Sequence, residues 1–532
     1  MITRQFSSRR SPVLARHGLV ATSQPLAAMA GLRILMDGGN AADAAVTVAA
    51  MLNVVEPMST GIGGDCFALI YEASTGQVTA LNGSGRAPAA FTLEEAQRLG
   101  LEEVPITGPL PVTVPGTASG WAALLERFGT MSLADCLAPA IATAEEGFPV
   151  SPWISRGWNY GTEKLSKDPE AARVYLPAPK PGEIHRQPDL AGTFRTVAEG
   201  GAEAFYHGPL AEKIAACVQS KDGYLTTDDL AAHTATWEEP IRTTYRDVEI
   251  LEHPPNGQGL AALVALNVVE GYDIESMNYY DPKRWHWMIE AMRLGMVDAG
   301  RYVADPAMAD VPLGKLLSKE YAAQHRARIH PDRALELAGP DQPEHKDTVY
   351  LTVADGQGNA VSFINSLYMG FGSGLVVPGT GMCLQNRGAC FSLEPGHPNA
   401  LAGGKRPYHT IIPAMALRDG RLWISFGVMG GFMQPQGHLQ VLVNMVDCGL
   451  DAQAALDAPR FQVDRRGGPQ VQIETAVPAA TRKALALMGH EVVRERTFSP
   501  SFGGGQVIAV DPDTGVLWGG SEPRKDGCAV GF

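Results

Sequence analysis

The stretch "DTVYLTVADGQGNAVS", residues 347–362, places two runs of strand-forming residues on either side of a Gly-bearing turn. Two such runs joined by a short turn predict an antiparallel β-hairpin. Thr348 directly follows Asp347 at the start of the first strand, about two-thirds of the way along the chain. A polar residue in that place prompts the question of what it does there.

Three further segments have the same hairpin pattern, and long helical segments separate them. The hairpin segments are "FALIYEASTGQVTAL" (67–81), "AMALRDGRLWISFG" (414–427) and "QVIAVDPDTGVLWGG" (506–520). Residues 25–57 predict two Ala-rich helices, with Gly38 and Gly39 ending the first and Asn40 capping the second. Hairpins between helical stretches favour antiparallel sheets covered by helices over a repeating βαβ fold.

The composition is that of a globular protein that buries a large core. The chain has 532 residues, 45% hydrophobic and 19% charged, with a net charge of −14 that argues against a nucleic-acid partner. Seven cysteines without a C-x-x-C pair predict free thiols in a reducing compartment. No signal peptide and no apolar run of membrane-spanning length is found, so we expect a cytoplasmic protein with no membrane partner. An Arg- and Ser-rich start leaves a transit peptide as the competing interpretation.

Common catalytic motifs are missing from the sequence. The "GFGSG" at residues 370–374 is followed by no lysine, so it is a poor phosphate loop. The 13 histidines form no H-E-x-x-H or other closely spaced ligand cluster, and no G-x-S-x-G nucleophile elbow occurs. We therefore expect neither a metal nor a cofactor.

Thr348 has a chemical use if the chain is cut before it. An internal Thr hydroxyl has no guaranteed base, but a Thr at an amino terminus carries its own, since an α-amino group has a pKa of roughly 7.7 to 8.0 and is partly neutral at physiological pH. An isolated Asp–Thr pair is more often part of an ordinary loop. The wider sequence has to decide between these interpretations.

Eight segments, in order along nearly the whole chain, resemble the γ-glutamyltranspeptidase family of N-terminal-nucleophile hydrolases. They are "GGNAADAAV" (38–46), "VVEPMSTGIGGDCF" (54–67), "VPGTASGW" (114–121), "DTVYLTVADGQGNAVS" (347–362), "FGSG" (371–374), "GKRP" (404–407), "GVMGG" (427–431) and "DAPRF" (457–461). The resemblance implies an α+β fold, a four-layer αββα sandwich of antiparallel sheets covered by helices. It also implies self-cleavage between Asp347 and Thr348 into a large subunit, 1–347, and a small one, 348–532, which form one compact heterodimer and allow a higher oligomer of heterodimers.

The same resemblance implies roles for individual residues. Thr348 would be both nucleophile and α-amino base, and Ser366 would support the nucleophile. Gly430 and Gly431 match the oxyanion-hole glycines of the family, although a Gly pair also suits a plain tight turn.

Two positions of the family's amino-acid clamp are altered here. Transpeptidases hold the glutamyl α-carboxylate with an Arg where this sequence has Ser84, and the α-amino group with an Asp where it has Cys390. A buried ammonium without a carboxylate costs several kcal/mol by the usual estimate, so a free γ-glutamyl amine should bind poorly. His409 and Thr410 replace a Ser pair of the family, and Tyr368 replaces an Asn found in many relatives.

Arg86, Arg387 and His409 could instead hold an anionic acyl group through charge-assisted hydrogen bonds, with Tyr368 and Thr410 beside them. Either arginine could equally be part of a structural ion pair. The substrate expected is a small anionic amide, with oxamate first, because the sequence is similar to the branch that includes oxamate amidohydrolase and YwrD-like proteins.

Three alternatives stay open. A γ-glutamyltransferase or glutathione hydrolase with an altered clamp is one, and a cephalosporin acylase-like amidase is another. The third is an unprocessed, inactive relative that serves as a binding protein.

Overall fold

The computed structural model describes residues 10–337 and 348–532, and most of its strands lie in two seven-stranded sheets. The first sheet, in spatial order, consists of Cys528–Gly531, Gly18–Thr22, Val349–Asp355, Ala360–Ser366, Asp65–Glu72, Gln77–Gly83 and Thr236–Glu238. The second consists of Val13–Ala15, Leu517–Ser521, Gly504–Val510, Arg421–Met429, Ala414–Arg418, Val248–Glu252 and Ile241–Tyr245. Every pairing within the two sheets is antiparallel.

Helices cover the outer face of each sheet. Over the first sheet lie Pro25–Met36, Ala41–Val55, Leu93–Arg98, Thr117–Phe128, Leu133–Glu146, Pro152–Tyr160, Thr162–Leu165, Pro169–Tyr175, Pro188–Gly200, Glu203–Tyr206, Pro209–Gln219 and Thr227–Ala231, in or beside one apolar cluster. Over the second lie Gly259–Val269, Pro282–Tyr302, Leu313–Leu316, Lys319–Arg328, Met433–Val446, Ala452–Asp457 and Ala479–Leu487. Two 3-10 turns, Arg387–Cys390 and Pro500–Phe502, and three small sheets complete the described fold. Two of the small sheets have two strands each, Phe148–Pro149 with Ile184–His185 and Val376–Val377 with Met382–Cys383. The third has three strands in the order Phe461–Val463, Gln470–Glu474 and Glu491–Glu495.

A third apolar layer lies between the two sheets, and it makes the molecule a four-layer αββα sandwich. Leu69 of the first sheet and Met415 of the second belong to the same buried cluster there. Thr352 and Ser425 join the sheets directly through a 2.7 Å contact between their hydroxyl oxygens. The predicted fold class is confirmed.

The local predictions also hold. The helices Pro25–Met36 and Ala41–Val55 are separated by Gly38, at φ +96°, and the Asn40 side chain accepts the Ala42 and Asp43 N–H groups as an N-cap. All four predicted hairpins are present. Of the predicted cleavage site, Thr348 is described, while residues 338–347, including Asp347, lie outside the described residues.

The predicted subunits 1–347 and 348–532 interleave. In the first sheet, Val349–Asp355 lies between Gly18–Thr22 and Ala360–Ser366. In the second, Ala414–Arg418 pairs with Val248–Glu252. Both sheets therefore need strands from both segments, although the cut itself stays a prediction.

Candidate active site

Thr348 and Ser366 lie side by side at the ends of two neighbouring strands inside the first sheet. Thr348 directly precedes the central strand Val349–Asp355 and is 1% exposed. Ser366 ends the neighbouring strand, and its Oγ lies 3.1 Å from Thr348 Oγ1. Because both residues are at strand ends, two rigid elements hold the hydroxyl pair.

Two N–H donors orient the Ser366 hydroxyl. Its oxygen accepts the backbone N–H of Tyr368 at 2.8 Å and the Nη2 of Arg387 at 3.3 Å. Tyr368 takes a left-handed conformation, with φ +78°, which turns the chain so that its amide points back at Ser366. The arrangement places a polarised hydroxyl next to the candidate nucleophile.

Arg387 is a fully buried cation at the centre of the site. Its Nη1 donates to Thr410 Oγ1 at 2.8 Å, and its guanidinium carbon lies 4.3 Å from the Tyr368 ring centroid. Within residues 10–337 and 348–532, no carboxylate comes within 4.0 Å of this guanidinium, and its Nε has no hydrogen-bond partner. A buried charge in this state is unfavourable, so the geometry suits the binding of an anion.

Asp65 is a buried carboxylate whose negative charge interacts with Arg387. It is the cross-strand neighbour of Ser366, and its carboxylate accepts hydrogen bonds from Gly85 N at 2.9 Å and Gln385 Nε2 at 2.7 Å. Burial raises the pKa of Asp65 to about 6, although the positive charge of Arg387 lowers it in part.

His409 faces Asp65. The His409 Nε2 lies 3.0 Å from Asp65 Oδ2, and its Nδ1 accepts the Ile411 N–H at 3.3 Å. Burial holds the pKa of His409 well below its usual value, so the ring is neutral and donates from Nε2. Its role as a substrate ligand stays a prediction, since both ring nitrogens are already engaged.

Arg86 is engaged elsewhere. Its Nη1 lies 3.5 Å from Asp305 Oδ2 and donates to the Gly404 carbonyl at 3.3 Å. This is the structural ion pair that the sequence left as the alternative. Of the two candidate arginines, Arg387 is the one that contacts the hydroxyl pair.

Gly430 and Gly431 form the turn between the strand Arg421–Met429 and the helix Met433–Val446. Their φ angles are +132° and +59°, and a Cβ on Gly430 would lie 3.0 Å from the Gly503 Cα. Glycine is required at this turn, because a side chain would meet backbone. A helix N-terminus also adds positive potential here, as an oxyanion site needs.

Gln258 connects this turn to the anion site. Its Nε2 donates to the Thr410 carbonyl at 2.7 Å and to the Gly431 carbonyl at 2.9 Å, and its Oε1 accepts the Tyr408 hydroxyl at 3.0 Å. One side chain thus sets the distance between the partner of Arg387 and the candidate oxyanion turn.

A cavity of about 710 Å³ opens beside these residues. Its lining includes Cys390, Tyr408, Phe432 and Arg465. The Cys390 thiol contacts Tyr368, and burial raises its pKa, so it is a neutral group. The wall of the cavity therefore includes a thiol at the position where transpeptidases have the amine-binding carboxylate.

Sequence reasoning missed three residues of this network, namely Asp65, Gln258 and Gln385. Asp65 lies in the quoted segment 54–67, whereas Gln258 and Gln385 lie in "PPNGQG" (254–259) and "QNRGACFS" (385–392). A polar side chain within an otherwise apolar or Gly-rich motif was the available signal.

Comparisons with known proteins identify the family of the chain. The family model described as gamma-glutamyltranspeptidase matches residues 27–532. The chain belongs to this family. It is an enzyme of the N-terminal-nucleophile hydrolase class, and its sandwich is the fold of that class.

Three similar proteins span the whole chain. The glutathione hydrolase-like YwrD proenzyme of Bacillus subtilis is 39% identical, covering 98% of this chain and 99% of the relative. The oxamate amidohydrolase proenzyme of Klebsiella pneumoniae is 35% identical, with 98% and 99% covered. The crystal structure of cephalosporin acylase from Bacillus halodurans is 47% identical with a TM-score of 0.94, covering 100% of this chain and 98% of that one.

No helix within residues 10–337 and 348–532 combines the length and the apolar composition that crossing a lipid bilayer requires.

Proposed function

We propose that this gamma-glutamyltranspeptidase family member cleaves itself before Thr348 and then hydrolyses a small anionic amide, with oxamate as the first choice. The observation that supports this substrate class is Arg387, a buried guanidinium 3.3 Å from the Ser366 hydroxyl that has no carboxylate within 4.0 Å in the described part of the chain. The proenzyme relatives support the self-cleavage.

Self-cleavage converts an amide into an ester and then into two termini. Thr348 Oγ1 attacks the carbonyl carbon of Asp347, the C–N bond breaks, and the hydroxyl proton goes to the Thr348 nitrogen. Water hydrolyses the ester, leaving a carboxyl group on Asp347 and a free α-amino group on Thr348. The products are the segments 1–347 and 348–532, which stay together as a heterodimer because their strands interleave in both sheets.

The mature site repeats this chemistry on the substrate. The Thr348 α-amino group accepts the hydroxyl proton while Oγ1 attacks the amide carbon of oxamate. The Gly430–Gly431 turn would stabilise the oxyanion, and ammonia leaves with the proton. Water then releases oxalate from the acyl-enzyme ester.

Arg387 would bind the carboxylate that oxamate carries next to its amide. A guanidinium binds a carboxylate through two parallel hydrogen bonds, and burial strengthens them. The neutral Cys390 thiol offers no counter-charge for an α-ammonium group, which weighs against a free γ-glutamyl donor.

The cavity supports a second candidate. About 710 Å³ is far more than oxamate needs, and the cephalosporin acylase of Bacillus halodurans is similar over the whole chain. An amide with a longer acyl group that ends in a carboxylate would fill that space.

Two measurements test the proposal. A denaturing gel of the purified protein should show two fragments beginning at Met1 and Thr348, whereas one chain that stays intact on incubation would support the inactive binding protein. Turnover of oxamate, a γ-glutamyl anilide and a longer carboxyacyl amide should then be compared at equal enzyme concentration. Efficient release from the γ-glutamyl anilide would reject the anionic-amide assignment.

A further inference from the structure

A second buried cluster, His286, Glu290 and His490, lies on the outer side of the second sheet. His286 and Glu290 are one turn apart on the helix Pro282–Tyr302, and His490 precedes the strand Glu491–Glu495. The three residues are 0%, 0% and 3% exposed. One ligand atom from each can be chosen so that all lie within 4.8 Å of one another.

The hydrogen bonds determine which nitrogen of His286 carries the proton. Its Nε2 lies 2.8 Å from the His330 carbonyl oxygen, which only accepts, so Nε2 is protonated. The Nδ1 of the neutral ring is then a lone pair, and it points at His490 Nε2, 2.8 Å away. A His held by a backbone carbonyl through its remote nitrogen is the usual state of a metal-binding imidazole.

His490 is left with an unsatisfied atom. Its Nε2 must donate to His286, so its Nδ1 is a lone pair without a hydrogen-bond partner in the described part of the chain. A carboxylate oxygen, Glu290 Oε1, lies 3.8 Å from this nitrogen and can only accept. A buried nitrogen that faces another acceptor is unfavourable, and a state that places a proton on His490 Nδ1 would satisfy it.

We propose that His286 and His490 bind one divalent zinc ion, with Glu290 as the carboxylate that supports it. The ion replaces the proton between His286 Nδ1 and His490 Nε2, and that proton moves to His490 Nδ1, where it faces Glu290. No proton is gained or lost, and both remote nitrogens then face an oxygen acceptor. Tetrahedral Zn–N bonds require the two nitrogens to separate to about 3.3 Å, a shift of a few tenths of an ångström.

The surroundings of Glu290 fit this role. Arg293 Nη1 and the Leu335 N–H donate to its two oxygens, at 2.5 and 2.8 Å, so the carboxylate is held in place. A cavity of about 530 Å³ is lined by Leu335, Gly489 and Arg293. Gly489 is the chain neighbour of His490 and Leu335 is the N–H partner of Glu290, so the cavity reaches residues directly beside the cluster.

The two ligands are 204 positions apart, so spacing in the sequence could not reveal them. His286 lies in segment 1–347 and His490 in segment 348–532. If the chain cleaves itself as proposed above, the ion joins the two fragments; the binding site itself does not depend on cleavage.

The test uses the purified full-length protein after treatment with EDTA and dialysis. We expect calorimetric titration with zinc chloride to show one bound equivalent, and cobalt chloride to give the visible absorption of tetrahedral Co²⁺ with nitrogen ligands. The variants H490Q and H286N should each weaken zinc binding at least tenfold. H325Q is the matched control, because His325 is a buried histidine that pairs with Asp298, a residue on the same helix as His286.

The outcomes separate this proposal from the proposed function. The uncleavable variant T348A should still bind zinc, even if self-cleavage proves wrong. Zinc should raise the melting temperature of the wild type and of H325Q but not that of H490Q or H286N. No stoichiometric zinc binding by the wild type, or equal affinity in both histidine variants, would overturn the assignment.

Discussion

Two buried arginine sites differ in how their charge is balanced. Arg524 donates to Glu474 Oε2 at 2.6 Å and to Glu522 Oε1 at 2.8 Å, with all three side chains fully buried. Arg387 is just as buried but contacts two hydroxyls, an aromatic ring and a neutral thiol. The first site holds its two carboxylates in direct contact, whereas the second has no carboxylate within 4.0 Å among residues 10–337 and 348–532 and interacts with Asp65 only at longer range.

The comparison distinguishes a structural cation from a binding cation. Removing one partner of a buried ion pair leaves a charge without compensation, so such pairs resist substitution. A buried cation without a carboxylate in direct contact lowers stability in the free protein and can be stabilised by an anionic ligand. Arg387 contacts Ser366, the neighbour of Thr348, so an anion bound to it would lie beside the candidate nucleophile.

The largest expected effect comes from removing Thr348, the candidate nucleophile beside which the anion bound to Arg387 would lie. T348A should remain a single chain and lose all measurable amidase activity, because the nucleophile and its amino base are the same residue. T348S keeps a hydroxyl and should still split, at a lower rate. A gel and a turnover assay check both; cleavage at residues 347/348 in T348A would show that another group is the nucleophile.

Substituting each of the two arginines by methionine tests the comparison directly. R387M should lower kcat/KM for oxamate by about 10²–10³, as expected for loss of a buried hydrogen-bonded charge, without lowering the free energy of unfolding. R524M should instead lower the free energy of unfolding by about 3–5 kcal/mol, since Glu474 loses its ion-pair partner and Glu522 keeps only Arg460. Steady-state kinetics and chemical denaturation separate the two effects, and an unstable R387M would place Arg387 among the structural cations.

A carboxylate next to Arg387 should remove the difference between the sites. C390D introduces an acid at the position where a neutral thiol now contacts the guanidinium. We expect kcat/KM for oxamate to fall about tenfold or more and turnover of a γ-glutamyl anilide to rise, because the new carboxylate competes with the substrate anion and can bind an ammonium. C390S, which stays neutral, is the control and should keep the preference for oxamate.

The smallest effect concerns the charge of Asp65. Its folded pKa of about 6 lies above its ordinary 3.8, so the folded state binds more protons between these values. Stability from this group is therefore present at low pH and is lost as the pH rises from about 4 to about 6. D65N should abolish that loss.

The same titration should affect substrate binding. Below pH 6, Asp65 is protonated and leaves the field of Arg387 less compensated, so KM for oxamate should fall several-fold in the wild type and stay flat in D65N. Burial also raises the pKa of Glu56 to about 7, so the difference between the wild type and D65N isolates Asp65. A pH-independent difference would show that Asp65 does not titrate in this range.

Local signals in the sequence predicted the architecture well. The turn residues Asp419 and Gly420 both adopt positive φ, at 51° and 73°, as the hairpin required. The Asn40 cap and the helices on either side of it followed from residues within one or two turns of each other. These features depend on nearby residues, which is why pattern reasoning found them.

The candidate site was predicted only in part. The motifs indicated Thr348, Ser366 and the Gly430–Gly431 turn, and the structure brings Thr348 and Ser366 to hydrogen-bond distance. The two arginines could not be separated from the sequence, because the partner of Arg86 is Asp305, more than two hundred residues away.

By itself, the sequence determined the family, the hairpins and helices, and the residue at which the chain is expected to be cut. Only the tertiary structure decided which buried charges are paired. Among the described residues, it left Arg387 without a carboxylate in contact and engaged Arg86 with Asp305, and it brought His286 to His490 across 204 positions. The reason is physical: strand and cap preferences act between neighbours in the chain, whereas charge compensation acts between atoms that are close in space.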